Sequence, residues 1–189
     1  MSAQLHELAE SLHVNERSLR RAWALGMLRG TRATPYRLEL PVDERVYLRR
    51  HWPTLSQLRR ALRTEPNVSL VVVFGSFARG DDTVESDVDL LVALRNPGLR
   101  ERVALTERLR RSTGVVVEVV ALEDAASRPS LMVEIVRDGR VLIDRDGRWA
   151  HLRAQKDCIA VHAERDRQLL AERARDAASA FASADAGSI

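Results

Sequence analysis

Residues Val68 to Phe74, VSLVVVF, form a run that is apolar but for Ser69 and rich in β-branched side chains, and the chain leaves it through Gly75-Ser76. A run of this kind fits a strand buried on both faces rather than one with a wet side. The chain must therefore supply helices to cover both sides of a sheet. A second apolar run, Val88 to Leu94, carries Asp87 and Asp89 at its head. Two carboxylates at the mouth of a buried strand need a reason.

The flanking segments fit that demand. Leu99 to Ser112 has helical spacing, Val115 to Val120 reads as a third strand after Gly114, and Glu123 to Arg137 is expected to be helical with a break at Pro129. Arg140 to Asp144 follows a DG turn as a short strand, and Trp149 to Phe181, rich in Ala with Arg alternating with acids, reads as one long helix or two. Ahead of Val68 the period is helical. Leu5, Leu8, Ala9 and Leu12 precede Val14, Leu19, Ala22 and Trp23, with Asn15 as the cap of a second helix from Glu16 and Gly30 as its stop. Thr31 to Pro41 fits a short strand or wing, and Val42 to Leu62 two helical pieces broken at Pro53. The fold class expected is α/β (α+β): a mixed sheet of four to five strands flanked by helices. In front stands a small winged helix-turn-helix-like module. The divisions are residues 1–65 for that module, 66–146 for the core, 147–183 for a C-terminal helical segment and 184–189 for a frayed tail.

The formal charge is +3 but the pI is near 9.7, and Lys156 is the sole Lys among the basic residues. Arg suits bidentate contacts to phosphate and carboxylate, although codon bias explains the same composition. Cys158 stands alone, which excludes an intramolecular disulfide framework and a Cys-rich zinc site and fits a reducing compartment. No signal pattern and no run of about 18 apolar residues is present. A cytoplasmic protein with no membrane partner is the expectation.

Along a strand, side chains two apart share a face, so Asp87 and Asp89 are expected to project together, about 6–7 Å apart at Cα. Repelling carboxylates in such a place suit hard divalent cations, whose oxygen ligands they become. Glu118, inside VVVEVV, asks for the same explanation and brings a third acid from a neighbouring strand. Gly75 permits close approach of a ligand to the backbone, Ser76 adds a hydroxyl, the following helix offers free N–H groups, and Arg79 one turn on carries a forked guanidinium for phosphate. Two metals against a triphosphate favour in-line attack on the α-phosphorus with pyrophosphate leaving. Asp81, Asp82 and Glu85 read as solvated loop acids, and Arg95 and Arg100 as surface arginines. Ser86 is placed to cap or hydrogen-bond beside Asp87.

Gly75-Ser76, ten intervening residues FARGDDTVES, then Asp87-Val88-Asp89 resembles the signature of the polymerase-β-like nucleotidyltransferases, in particular their minimal nucleotidyltransferase branch. The resemblance runs from Val68 to Asp144. It implies that Gly75 and Ser76 bind nucleotide phosphates, that Asp87 and Asp89 bind Mg²⁺ (two ions), and that a third acid completes the site, a place Glu118 fills. In the family that acid is commonly Asp, and the extra methylene leaves Glu118 as ligand, general base or neighbour. The implied activity is magnesium-dependent transfer of an NMP, AMP from ATP foremost, to a hydroxyl on a macromolecule. Proteins of this branch often belong to toxin–antitoxin pairs, so the acceptor is expected to be a HEPN-type toxin that the antitoxin adenylylates. The alternatives are a toxin that modifies tRNA 3′ ends, or a DNA-binding regulator that senses nucleotide without turnover. Small-molecule adenylylation ranks last.

LHELAESLHVNERSLRRA resembles DNA-binding helix-turn-helix modules, with Ala9 at the crossing, Val14 in the turn and His13 where Gly is frequent. Arg17, Ser18, Arg20 and Arg21 would then face operator DNA, which implies a homodimer. Two amphipathic helices packed on the catalytic domain would give nearly the same pattern. The C-terminal helix packs on its own domain or docks a partner or second subunit. Cys158 with His162, and Arg145 with His151, read as chance spacings rather than sites.

Overall fold

The protein, seen in a computed structural model, is described for residues 3–34 and 37–185, with side chains described for 5–34 and 37–175. Helix α1 (Ala3–Ser11) and α2 (Glu16–Leu25) open the chain, and a hairpin of β1 (Thr31–Thr34) and β2 (Arg37–Glu39) follows. Asn15 caps α2 as its sequence position implies, accepting the Ser18 N–H at 2.8 Å. The helix stops at Gly26, four residues short of Gly30, because Gly26 takes φ +89 and donates its N–H to Trp23 and Ala22 carbonyls. Gly30 instead accepts the Trp23 indole N–H at 3.0 Å. Pro35 and Tyr36 of the expected wing lie outside the described residues, as do 186–189 of the expected tail.

Helix α3 (Val42–Arg63) runs unbroken through Pro53, contrary to the expected interruption. Trp52, Leu55 and Leu58 around it are held in the core, and Pro53 lies on the exposed side, where the carbonyl deprived of an N–H meets water. The helix end is closed from afar: the Arg145 guanidinium donates to the carbonyls of Leu62, Arg63, Glu65 and Pro66.

Strand β3 (Val68–Phe74) leads into the single turn α4 (Gly75–Arg79), then β4 (Val88–Leu94), α5 (Leu99–Thr113), β5 (Val117–Ala121), α6 (Leu122–Ala126), α7 (Pro129–Asp138), β6 (Arg140–Asp144), α8 (Arg148–Ala154) and α9 (Lys156–Asp185). The sheet order is β5-β4-β3-β6; β3 pairs antiparallel with β4 and β6, and β4 parallel with β5. A parallel neighbour requires a crossover, which α5 supplies. Every residue of β3 is buried, as its composition demands. Val71, Val73, Leu90 and Val92 face a core shared with α1, α2, α3 and α5, while Leu70, Val72, Leu91 and Ala93 face α6, α7 and Trp149. At about 1.5–3 kcal/mol for each fully buried Val or Leu, these two layers fix the strand alternation, and with it which face carries the acids.

The front helices are also tied to the sheet by charge. Arg140, 2% exposed, donates two hydrogen bonds to Glu44, 3% exposed, at 2.7 and 2.9 Å, and its guanidinium lies 3.6 Å from the Tyr47 ring centroid. The same side chain donates to the Ala78 carbonyl at 2.7 Å, so one buried ion pair joins α3, α4 and β6. Helix α9 touches its own domain through Ile159 and Ala163, and beyond them Leu169 and Leu170 are exposed. No helix among the described residues is long and apolar enough to cross a membrane.

Candidate active site

Gly75 has φ +71, a left-handed conformation open to glycine and strained for other residues. The reason for glycine here is also steric. A Cβ at this position would stand 2.1 Å from Asp89 Oδ2. The turn that ends β3 thus lies directly against the carboxylate of β4, and the register agrees, since Phe74 is the cross-strand partner of Asp89.

Asp89 and Glu118 are partners in the parallel β4–β5 register. Both belong to the alternate set that faces α6 and α7, so the two carboxylates emerge on one face at the end of the sheet. Asp87 stands immediately ahead of β4, which starts at Val88 as expected, and the Val88 N–H donates to the Val116 carbonyl. Both Glu118 and Asp87 nonetheless act on Asp89. The Asp89 carboxyl is raised above the usual carboxylate range by burial first, then by the charges of Glu118 and Asp87, with Arg79 pulling the other way. Asp89 and Glu118 are thus neighbours in register, and the charges of Asp87 and Arg79 reach Asp89.

Oxygen-only donors, crowded and short of positive charge, are what a hard divalent cation accepts. As they stand, no three His, Cys, Asp or Glu among the described residues are gathered as a ligand set. Asp87 and Glu118 are exposed, and side-chain rotation is what closing around an ion would take. Ser76 is the second residue of the single turn α4, and its carbonyl accepts the Gly80 and Asp81 N–H groups. That helix has five residues, so any anion at this turn would meet local N–H groups and the Ser76 hydroxyl rather than a long helix dipole. Arg79 donates to Asp81 at 3.1 Å and remains partly exposed.

Asp82 is not a solvated loop acid. Its side chain is 10% exposed, accepting from Arg50 at 3.1 Å and standing 2.8 Å from His51 Nε2. His51 is buried, stacks on Tyr47 and uses Nδ1 against the Tyr47 carbonyl. The loop from Gly80 to Asp87 is thereby pinned to α3, and Ser86 closes its last turn by accepting the Thr83 N–H at 2.9 Å. At the front module, Arg17 and Arg21 are exposed, Ser18 donates its hydroxyl to Asn15, and Arg20 pairs with Glu16. His13 takes φ +54, the conformation Gly would supply in that turn.

With this geometry in view, the similarities are informative. The family model described as polymerase beta, nucleotidyltransferase, matches residues 56–148. A Methanocaldococcus jannaschii protein bearing the name of a protein adenylyltransferase is 32% identical in a 77-residue match that covers 35% of this chain and 77% of that protein. Among solved structures, a chain of a toxin–antitoxin complex with AMP-PNP has a TM-score of 0.53 at 21% identity, covering 64% of this chain and 98% of that one. A chain of a Shewanella oneidensis complex, a tri-AMPylated HEPN toxin with an MNT antitoxin, has a TM-score of 0.51 at 19% identity, covering 66% and 98%. At these identities the structures share a fold.

Proposed function

The chain belongs to the polymerase-β nucleotidyltransferase family and is a nucleotidyltransferase, and from that premise we propose that it transfers AMP from ATP, with Mg²⁺, to a hydroxyl of a HEPN-type toxin encoded as its partner. The observation that carries this reading is the absent Cβ of Gly75, which lets the Asp89 carboxylate lie against the turn where a triphosphate would enter. Support for a protein acceptor comes from the adenylyltransferase name of the M. jannaschii relative and from the AMPylated toxin in the Shewanella complex.

Each side chain has a task in this reading. The Gly75-Ser76 turn holds the β- and γ-phosphates through backbone N–H groups and the Ser76 hydroxyl. Arg79 offsets the negative charge that gathers on the departing pyrophosphate. Asp87, Asp89 and Glu118 would hold Mg²⁺, which when bound polarises the α-phosphate and orients the two oxygens that enter and leave. The acceptor hydroxyl oxygen forms its bond to the α-phosphorus as the bond to the β-phosphate oxygen breaks. Glu118, the register partner of Asp89, would take the hydroxyl proton with the oxygen it does not give to the ion. Most of the rate comes from positioning.

The test is incubation of the purified protein with labelled ATP, Mg²⁺ and the product of the adjacent gene, and in parallel with total tRNA. Label on the protein acceptor, lost in Asp87→Ala and Asp89→Ala and reduced less in Glu118→Ala, is the expected result. Label on tRNA instead would reassign the acceptor. Full transfer by the Asp89 variant would defeat the metal assignment.

A further inference from the structure

Charge is divided unevenly along this chain. Residues 1–65 hold twelve Arg against seven acids, formally +5, whereas residues 66–189 hold eighteen Lys or Arg against twenty acids, formally −2. A polyanion is drawn to the front of such a molecule, away from the acidic site.

The basic side chains there are arranged, not scattered. Leu19 and Ala22 of α2 and Leu55, Leu58 and Leu62 of α3 belong to one buried cluster. Arg59 and Arg63 lie one turn apart on α3, and Arg21 of α2 and Arg63 are exposed. The Arg59 guanidinium is held below its ordinary pKa by burial and then by the charges of Arg63 and Arg21, and its Nε is buried with no hydrogen-bond partner among the described residues. The nearby acids are engaged elsewhere: Glu16 with His6 and Arg20, Glu65 with Arg108. Like charges crowded without an anion raise the free energy of the empty protein, and a phosphate placed among them relieves it.

The scaffold around this cluster selects the anion. Helix α1, a four-residue turn with His13 at φ +54, and the ten-residue α2 make a helix-turn-helix, with Arg17 exposed on the first turn of α2. Beside it the hairpin presents β1 with every residue exposed. We propose that this face binds double-stranded DNA, with α2 in the major groove, Arg17 toward base edges, and Arg21, Arg59 and Arg63 on the flanking phosphates. B-form DNA admits a helix in its major groove, whereas the major groove of A-form RNA is too narrow for side chains to read.

The proposal is tested with the full-length protein by fluorescence anisotropy on a labelled mixed-sequence DNA duplex of about three helical turns. Three phosphate contacts set a slope of log K against log salt of about −2.7 or steeper. Arg21→Gln/Arg59→Gln/Arg63→Gln should flatten that slope by about 2 to 3 and weaken binding about 10²-fold or more at low salt. Circular dichroism establishes that the variant is folded; if the triple is not, Arg63→Gln alone should flatten the slope by about 0.9. No binding to the duplex at about 50 mM salt, an unchanged slope in a folded variant, or tighter binding to RNA of the same length would each overturn the proposal.

Discussion

Replacing Gly75 by Ala tests the site at its tightest point. The residue has φ +71, and a left-handed backbone costs a side-chain-bearing residue about 1–2 kcal/mol. The added methyl would also stand 2.1 Å from Asp89 Oδ2, where ordinary contact begins at 3.4 Å, so the carboxylate must retreat by about 1.3 Å. A displacement of that size in a reacting group costs about 10²-fold in rate. Gly114→Ala is a matched control: Gly114 has φ +67, but a Cβ there meets no atom within 4 Å. Both variants should lose about 2–8 °C in melting temperature. Only Gly75→Ala should lose about two orders of magnitude in pyrophosphate release from ATP with acceptor present. If the two variants are equally active, the proximity of Gly75 to Asp89 has no catalytic meaning and the argument from it fails.

Other expectations follow from the same contacts. Asp89→Asn should stabilise the metal-free protein, measured in EDTA, while abolishing transfer. Because the folded-state carboxyl is raised, its charge opposes folding at neutral pH; the gain in melting temperature should vanish below the usual carboxylate range and grow as pH rises through the folded pKa. Arg140→Met strands a buried Glu44 and should cost about 3–5 kcal/mol in urea unfolding, whereas Glu44→Leu/Arg140→Met should recover most of that loss. Asp82→Ala removes the bonds to His51 and Arg50 that pin the loop before Asp87; transfer should fall by about 10-fold or more, with helix content by circular dichroism unchanged. Activity at the wild-type level would show that the pinning has no bearing on the site.

What could be read from the sequence was local. Strands β3, β4 and β6 are largely apolar runs bounded by Gly-Ser, by a polar loop and by a DG turn, and their bounds agree with the expectation. The fixed spacing from Gly75 to Asp89 belongs to one β-turn-β unit, so its two ends meet whenever β3 and β4 pair in register. Glu118 was legible as an acid on a neighbouring strand, although its place opposite Asp89 depends on α5 delivering β5 in that register. Arg145 on the α3 carbonyls has no local signal at all, because its partners lie 79 to 83 residues away.

Asp82, His51 and Glu44 form a different case. In the sequence, Val42 to Leu62 reads as two pieces broken at Pro53, and Asp82 as a solvated loop acid. With the helix continuous, residues 44, 48, 51, 55, 58 and 62 recur at spacings of three and four and form one buried stripe. Glu44 and His51 then stand among Leu48, Leu55, Leu58 and Leu62, where a polar group needs a partner. The partners are supplied by the other side of the molecule: Arg140 for Glu44, Asp82 for His51. An apolar stripe interrupted by two polar residues is thus a sequence-level sign that distant charges will be brought to it. Here one of those charges opens β6 and the other lies in the loop that delivers Asp87, so the stripe of α3 helps to place the acids at the end of the sheet.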